Sequence, residues 1–500
     1  MRPFRSPETL VALVLAAAAA FPARAQDEDE ATPLRLDKPV RASIRWRERV
    51  WRTFTLEVPK DAIVIEVLLE DAPVDLDIFA RHGGPMQDYQ KEAQHQANSG
   101  RYNDVLRVSR STQPPLKPGT YYIDVVYGVQ AEPRAAKRPI EEIPFTLSAS
   151  LIRARVDGAL EPGTKLESKT TPEGGFFRTY TVEVAAGAAA LRIDLDEVSS
   201  DLDIQLRHGR PILDRSEADH SALSSLSRET LVIDGDSEPP LAPGVWYVDV
   251  FDPSENGVVP FTIHATLGRE PPPELLAIPA IREPRDEMDL AILATVELTC
   301  PNGGGSGTVL TADGLVLTNH HVVEASEGGV VADGELVIGL SQDPRLPAVE
   351  LFRGRVLASD ARLDFALVEI TQGYYRQPLP AGYRFPYLEF GEPEELRIGE
   401  PLTVIGFPVA GGTGSRVSVT FTRGVVSGFD LTDIGLLVKT DADISSGNSG
   451  GAALDDRFRL IGVPSSVVPE PDGNGQIGYI QPVNLVPAEW RRQIEERKGR

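Results

Sequence analysis

The sequence predicts an all-β protein: two tandem β-sandwich domains followed by a third domain of short strands and glycine turns. Three observations predict it. A block of the first half is duplicated, apolar and polar residues alternate within each copy, and Gly and Pro are plentiful beside many β-branched residues. At 500 residues the chain exceeds one ordinary core, so about three domains are expected.

The chain begins with a processing signal. Arg2 and Arg5 make a basic start, Leu10 to Phe21 is a short apolar run, and Ala23-Arg24-Ala25 supplies small residues before a cut near Gln26. Residues 1–25 therefore read as a secretory signal peptide, too short and alanine-rich for a membrane span. No other segment is apolar enough to span. An exported protein with a single cysteine, Cys300, has no intrachain disulfide and must rely on burial. Cys300 is expected to be a small core residue. The formal charge of −24 is spread along the chain, which argues against a nucleic-acid partner.

The duplication is ordered. Trp51-Arg52-Thr53-Phe54-Thr55-Leu56-Glu57-Val58 matches Phe177-Arg178-Thr179-Tyr180-Thr181-Val182-Glu183-Val184. Asp75-Leu76-Asp77-Ile78 and Arg81-His82-Gly83 match Asp201-Leu202-Asp203-Ile204 and Arg207-His208-Gly209. Leu116 to Tyr122 matches Leu241 to Tyr247, each with a Pro-Gly turn, and Pro144-Phe145-Thr146-Leu147 matches Pro260-Phe261-Thr262-Ile263. A period this long means a duplicated domain and not a solenoid. Short alternating strands make each copy a β-sandwich, over 35–151 and 160–268. Along a strand Asp75 and Asp77 share one face, and Leu76 and Ile78 the other. The acids read as a solvated or hydrogen-bonded polar face, since two carboxylates per copy fall short of a calcium site. His82 and His208 recur without a partner cluster and are expected to be structural. The pattern resembles the bacterial pre-peptidase C-terminal domain, an accessory sandwich of secreted peptidases, although the copies here precede the catalytic region.

Residues 269–285 form a linker. Arg269-Glu270-Pro271-Pro272-Pro273-Glu274 should be extended and stiff, and Pro284 keeps the chain open. The last domain covers 286–495. Gly307 to Thr311 and Leu315 to Thr318 form a hairpin around Asp313-Gly314. Its second strand delivers Asn319-His320-His321, Asp364 opens the strand that runs to Ile370, and Lys439 to Asp443 leads into Gly447-Asn448-Ser449-Gly450-Gly451.

These residue types suit acyl transfer. Serine is a poor nucleophile unless an imidazole takes its proton, and the imidazole needs a carboxylate to fix its tautomer. Of seven histidines only His320 and His321 lie in the last domain, so one of them must be the base. Asp364 and Ser449 complete the set, and the N–H groups of Gly447 and Ser449 are the expected oxyanion hole. Asp443 lies six residues before the serine; by itself it reads as an exposed loop acid or a carboxylate paired with Arg423 or Lys439.

The domain resembles trypsin-like serine peptidases of the chymotrypsin fold, and most closely the HtrA/Deg type. The runs SGTVLTADGLVLTNHHVV, DFALVEI, VTFTRGVVSG, KTDADISSGNSGGAALD and IGYIQPVNLV carry the resemblance. It implies a chymotrypsin-like double β-barrel with the site between barrels, and it assigns His321 as base, Asp364 as its partner and Ser449 as nucleophile. For Asp443 the resemblance to trypsin-like enzymes implies a specificity-pocket acid that selects Arg or Lys at that offset. No PDZ domain follows in this sequence. The function expected is an exported serine endopeptidase, periplasmic or extracellular, acting on protein or peptide substrates. It has no catalytic cofactor or metal, and its sandwiches target substrate or surface. The alternative is a secreted binding, adhesion or chaperone-like protein with an inactive peptidase scaffold.

Overall fold

The computed structural model describes residues 31–498 apart from 46–49, 100–102, 128–141, 197–199, 225, 256, 302, 327, 409–417, 446 and 470–475. The expected signal peptide lies outside the described residues. The chain divides into two compact units, one ending at Arg153 and the other starting at Ala154.

The first unit holds a two-sheet sandwich. One sheet runs Thr32–Pro33, Trp51–Val58, Gly119–Val126, Asp77–His82 and His95–Ala97. The other runs Val40–Ile44, Ile143–Arg153, Ala62–Glu70 and Asp104–Ser109. Alternate residues of both sheets, among them Phe54, Leu56, Ile65, Val67, Ile123 and Phe145, meet in one core. The sandwich of the second unit repeats this order strand for strand. Its sheets are Gly158–Ala159, Phe177–Val184, Gly244–Phe251, Asp203–His208, His220–Ala222, and Lys165–Thr170, Val259–Thr266, Ala190–Asp196, Glu229–Asp234. Each copy opens with a two-residue parallel edge strand, Thr32–Pro33 or Gly158–Ala159, just ahead of the expected start. Two residues are too few to show a periodicity. His82 and His208 are structural in the same way. Each Nε2 pairs with the carbonyl of Pro118 or Pro243 at 2.9 and 3.0 Å, and each ring packs on Tyr121 or Trp246.

Residues 269–285 differ from a stiff open spacer. Pro273–Leu276 is a 3-10 turn with Leu275 buried, and Ile278 and Ile281 pack against the first barrel's core. Tyr383 Oη donates to the Pro279 carbonyl at 2.7 Å. Arg282 and Arg285 close on the buried Asp289 carboxylate, which their hydrogen bonds hold far below the usual carboxylate range. Apolar residues between the prolines and this charge cluster pin the segment to the barrel.

Two closed six-stranded barrels follow. The first uses Thr295–Cys300, Gly303–Val309, Leu315–Thr318, Leu336–Leu340, Val349–Asp360 and Phe365–Gly373. The second uses Pro401–Gly406, Thr420–Thr432, Gly435–Thr440, Ala452–Leu454, Leu460–Pro469 and Gln476–Pro482. Both close in the order 1-2-3-6-5-4. Cys300 is a buried core residue whose Sγ lies 3.2 Å from the Val322 carbonyl. No helix among the described residues is long and apolar enough to cross a membrane.

Candidate active site

Strand register brings the first two groups together. In the first barrel Thr318 pairs with Ala366 and Leu317 with Leu367. Continuing that antiparallel register sets the residues just after Thr318 beside those just before Phe365. The chain after Thr318 turns through a 3-10 segment, His320–Val322. Asn319 Nδ2 donates to the Asp364 carbonyl at 2.8 Å, and the His321 backbone N–H donates to Asp364 Oδ1 at 3.1 Å. His321 Nδ1 then lies 3.0 Å from both oxygens of that carboxylate. Asp364 therefore bonds His321; the His320 Nδ1 is buried without a hydrogen-bond partner among the described residues.

The carboxylate is held by more than the imidazole. Ser465 Oγ, on the fifth strand of the second barrel, donates to Asp364 Oδ2 at 2.7 Å. Asp364 itself sits at φ +49°, a left-handed conformation that costs a non-glycine residue about 1–3 kcal/mol. The hydrogen bonds to its carbonyl and carboxylate offset that strain. Burial pushes the Asp364 carboxyl upward, but the bonds from His321 and Ser465 outweigh it, and its pKa is lowered from the ordinary 3.8. The hydrogen bond to Asp364 raises the His321 imidazole above its ordinary 6.5, against the opposing effect of burial. The imidazole side chain is 45% exposed and the carboxylate 22%, so the imidazole faces open space while its partner is more enclosed.

The Ser449 loop joins the third and fourth strands of the second barrel. Ser306, fully buried on the first barrel, holds it twice: its N–H donates to the Ser449 carbonyl at 2.8 Å and its Oγ to the Gly447 carbonyl at 2.7 Å. Thr318 Oγ1 donates to the Ser306 carbonyl at 2.7 Å, tying this clamp to the strand that delivers His321. On the other side Gly450 N–H donates to the carbonyl of Pro464, the residue before Ser465. Contacts thus run in a ring from His321 through Asp364, Ser465 and the Pro464 carbonyl to the Ser449 loop, and back through Ser306 and Thr318. Gly450 must be glycine. It sits at φ +86°, and a Cβ there would come within 2.0 Å of the Ser306 carbonyl oxygen. Gly447 sits at φ +95°.

Asp443 is exposed between buried Ala442 and Ile444, and its carbonyl accepts from Thr422 Oγ1 at 2.9 Å. Neither Arg423 nor Lys439 pairs with its carboxylate among the described residues; Arg423 lies over the Phe421 ring at 5.2 Å.

Ser306 and Ser465 escaped the sequence reading. The available signal was polarity out of place: a buried serine in a glycine run, and a serine within the apolar strand Leu460–Pro469.

Residues 305–463 match the trypsin-like peptidase domain family, and residues 177–252 the bacterial pre-peptidase C-terminal domain. The "Probable serine protease do-like" of Buchnera aphidicola is 29% identical over 188 residues, 36% of this chain and 34% of that protein. The "Serine protease Do-like HtrA" of Bacillus subtilis is 29% identical over 197 residues, 37% of this chain and 38% of its own. The "Probable periplasmic serine endoprotease DegP-like" of Rickettsia prowazekii is 30% identical over 187 residues, 36% and 31%. The chain thus spans about a third of the length of the curated relatives it matches. Among solved structures, "HtrA-type protease AlgW with tripeptide" is 25% identical over 42% of this chain and 63% of that one, with a TM-score of 0.32. The chain therefore carries a region matching the trypsin-like peptidase domain and another matching the bacterial pre-peptidase C-terminal domain, and the first is similar to serine proteases of the HtrA and DegP-like kind.

Proposed function

We propose that the protein is an exported serine endopeptidase that cleaves protein or peptide substrates through an acyl-enzyme. Ser449 Oγ attacks the scissile carbonyl. His321 takes the serine proton and returns it to the leaving amine, while Asp364 fixes the Nδ1–H tautomer and stabilises the imidazolium. The amides of Gly447 and Ser449 receive the oxyanion. The observation that carries this reading is the His321 Nδ1 contact with both Asp364 oxygens, with Ser465 bracing the same carboxylate. An inactive scaffold would have no need to keep a strained aspartate on an imidazole.

Export is supported by the basic-apolar-small pattern of residues 1–25 and by the relatives named periplasmic. The sandwiches would then hold the peptidase on a substrate or surface. Asp443 is read as an acid outside a closed pocket floor, because an exposed carboxylate is screened by water and selects weakly for a buried cation. The preferred side chain at the cleavage site is then non-basic.

Covalent labelling with a fluorophosphonate probe tests the activity. The expected result is one labelled serine, Ser449, lost in Ser449→Ala and in His321→Ala but kept in His320→Ala. Folded protein that takes no label would leave the binding or chaperone-like reading in its place. Cleavage-site profiling of the wild type and Asp443→Ala tests the pocket: a basic preference that vanishes in the variant would overturn the assignment.

A further inference from the structure

The second sandwich gathers more acid than its strands need. Asp201 and Asp203 stand at the start of one strand, and Glu229 opens another; the three offer carboxylate oxygens within 4.8 Å of one another. Glu229 was the third carboxylate that the sequence did not join to the pair, because it comes from a strand more than twenty residues away. Asp203 and Glu229 are 5% and 3% exposed. Asp201 Oδ1 is buried with no hydrogen-bond partner among the described residues, and the same is true of Oγ of Ser200, itself 5% exposed. The cation within reach is Arg215, 3.6 Å from Asp203. The buried Asp252 and Glu350 add their charges to the cluster. Burial first, and mutual repulsion after it, push Asp201 up to about 8. Burial pushes Asp203 up to about 7 against the pull of Arg215, and Glu229 up to about 8.

The first sandwich places acids at the matching positions. Asp75, Asp77 and Asp104 hold the matching positions and repel one another. Asp104 is 1% exposed; its Oδ1 accepts from Ser99 Oγ, and its Oδ2 is buried with no hydrogen-bond partner among the described residues. In each copy at least one of these acids has a buried oxygen with no hydrogen-bond partner among the described residues: Asp201 Oδ1 in the second, Asp75 Oδ1 and Asp104 Oδ2 in the first.

From this geometry we infer that Asp201, Asp203 and Glu229 hold a divalent cation of the calcium type, and that the ion steadies the second sandwich against the first barrel. Hard carboxylate oxygens from separate strands suit a cation that tolerates irregular coordination. The coupling to the barrel follows from the loop before Glu229. Ser224 donates through N–H and Oγ to Glu229 Oε1. Ser227 donates through N–H and Oγ, both at 3.0 Å, to Glu350 Oε2 on the barrel strand Val349–Asp360. Tyr374 Oη of the barrel donates to the Arg228 carbonyl at 2.8 Å. A cation that fixes Glu229 therefore fixes the loop that docks.

The experiment uses the full mature chain stripped with EDTA and titrated with calcium chloride by calorimetry, with metal content read by mass spectrometry. The expected result is saturable uptake, a higher melting temperature, and one calcium fewer per chain in Asp201→Asn/Glu229→Gln than in the wild type. Hydrogen exchange should slow with calcium both over 224–230 and over 349–354. No uptake by the wild type at millimolar calcium overturns the site whatever the variant does. Stability that rises as pH falls from 8 to 6 with no calcium response overturns it too, since the carboxyls would then share protons. Protection confined to 224–230 overturns the coupling. None of these readouts depends on peptidase activity.

Discussion

The two barrels are built alike and used differently. Both close in the order 1-2-3-6-5-4, and in both the connection from the third to the fourth strand carries one residue of the proposed triad. In the first barrel that connection presents His321; in the second it presents Ser449. The fifth strands diverge as well. Val349–Asp360 turns Glu350 outward to receive Ser227 of the second sandwich, whereas Leu460–Pro469 turns Ser465 inward to Asp364. On the proposed mechanism, one frame supplies the acid-base residues from one side and the nucleophile from the other. Ring closure depends on a few hydrogen bonds that cross between the barrels.

The sharpest break in this division of labour is Ser449→Ala, which should lower kcat by roughly 10⁵–10⁶-fold while leaving the melting temperature unchanged. On the first-barrel side, Asp364→Asn should cost about 10⁴-fold in kcat, because the imidazole loses the partner that fixes its tautomer. Ser465→Ala probes the crossing bond. It removes a hydrogen bond to a charged, partly buried carboxylate, so a loss of about 1.5–3 kcal/mol of transition-state stabilisation is expected. Its kcat/KM against pH should move with it, because one of the bonds that keeps Asp364 ionised is gone; a profile identical to wild type would reduce Ser465 to a packing residue. Glu350→Gln asks the same of the outward strand: peptide cleavage should stay near wild type while chemical denaturation shows a loss of about 1–3 kcal/mol.

The smallest expected effect is in pH. Asp364 raises the His321 pKa above 6.5, and the base must be neutral, so the acid limb of kcat/KM should have its midpoint above that value. For stability the signs run opposite ways. The His321 contribution is complete below its unfolded pKa and fades as pH rises through the raised folded value. The Asp364 contribution is present above its unfolded pKa and is lost as pH falls through the lowered folded value. An acid-limb midpoint at or below 6.5 would contradict the pairing.

The sequence made the skeleton of this site legible and left out its braces. His321, Asp364 and Ser449 stand in runs whose residue types follow from the chemistry, and the Gly450 geometry follows from a close approach that only glycine permits. Ser306 and Ser465 could not be found that way, because each acts through a partner more than one hundred residues distant, fixed only once both barrels close. The sandwiches show the same limit. Alternation revealed Asp75 and Asp77, and Asp201 and Asp203, as faces of strands. The third acid of each copy, Asp104 or Glu229, became a neighbour through sheet pairing: Leu69 with Asp104, Leu195 with Glu229. The linker was read from its prolines, whereas its apolar Leu275, Ile278 and Ile281 decide where it lies.

The docking of Ser227 on Glu350 bears on how the molecule can be cut. A fragment that began at the first barrel would uncover a carboxylate that is 1% exposed in the intact chain, together with the Tyr374 hydroxyl and the apolar strip under Ile278 and Ile281. The peptidase in its smallest self-sufficient form would carry the second sandwich with it, as much a part of its body as either barrel.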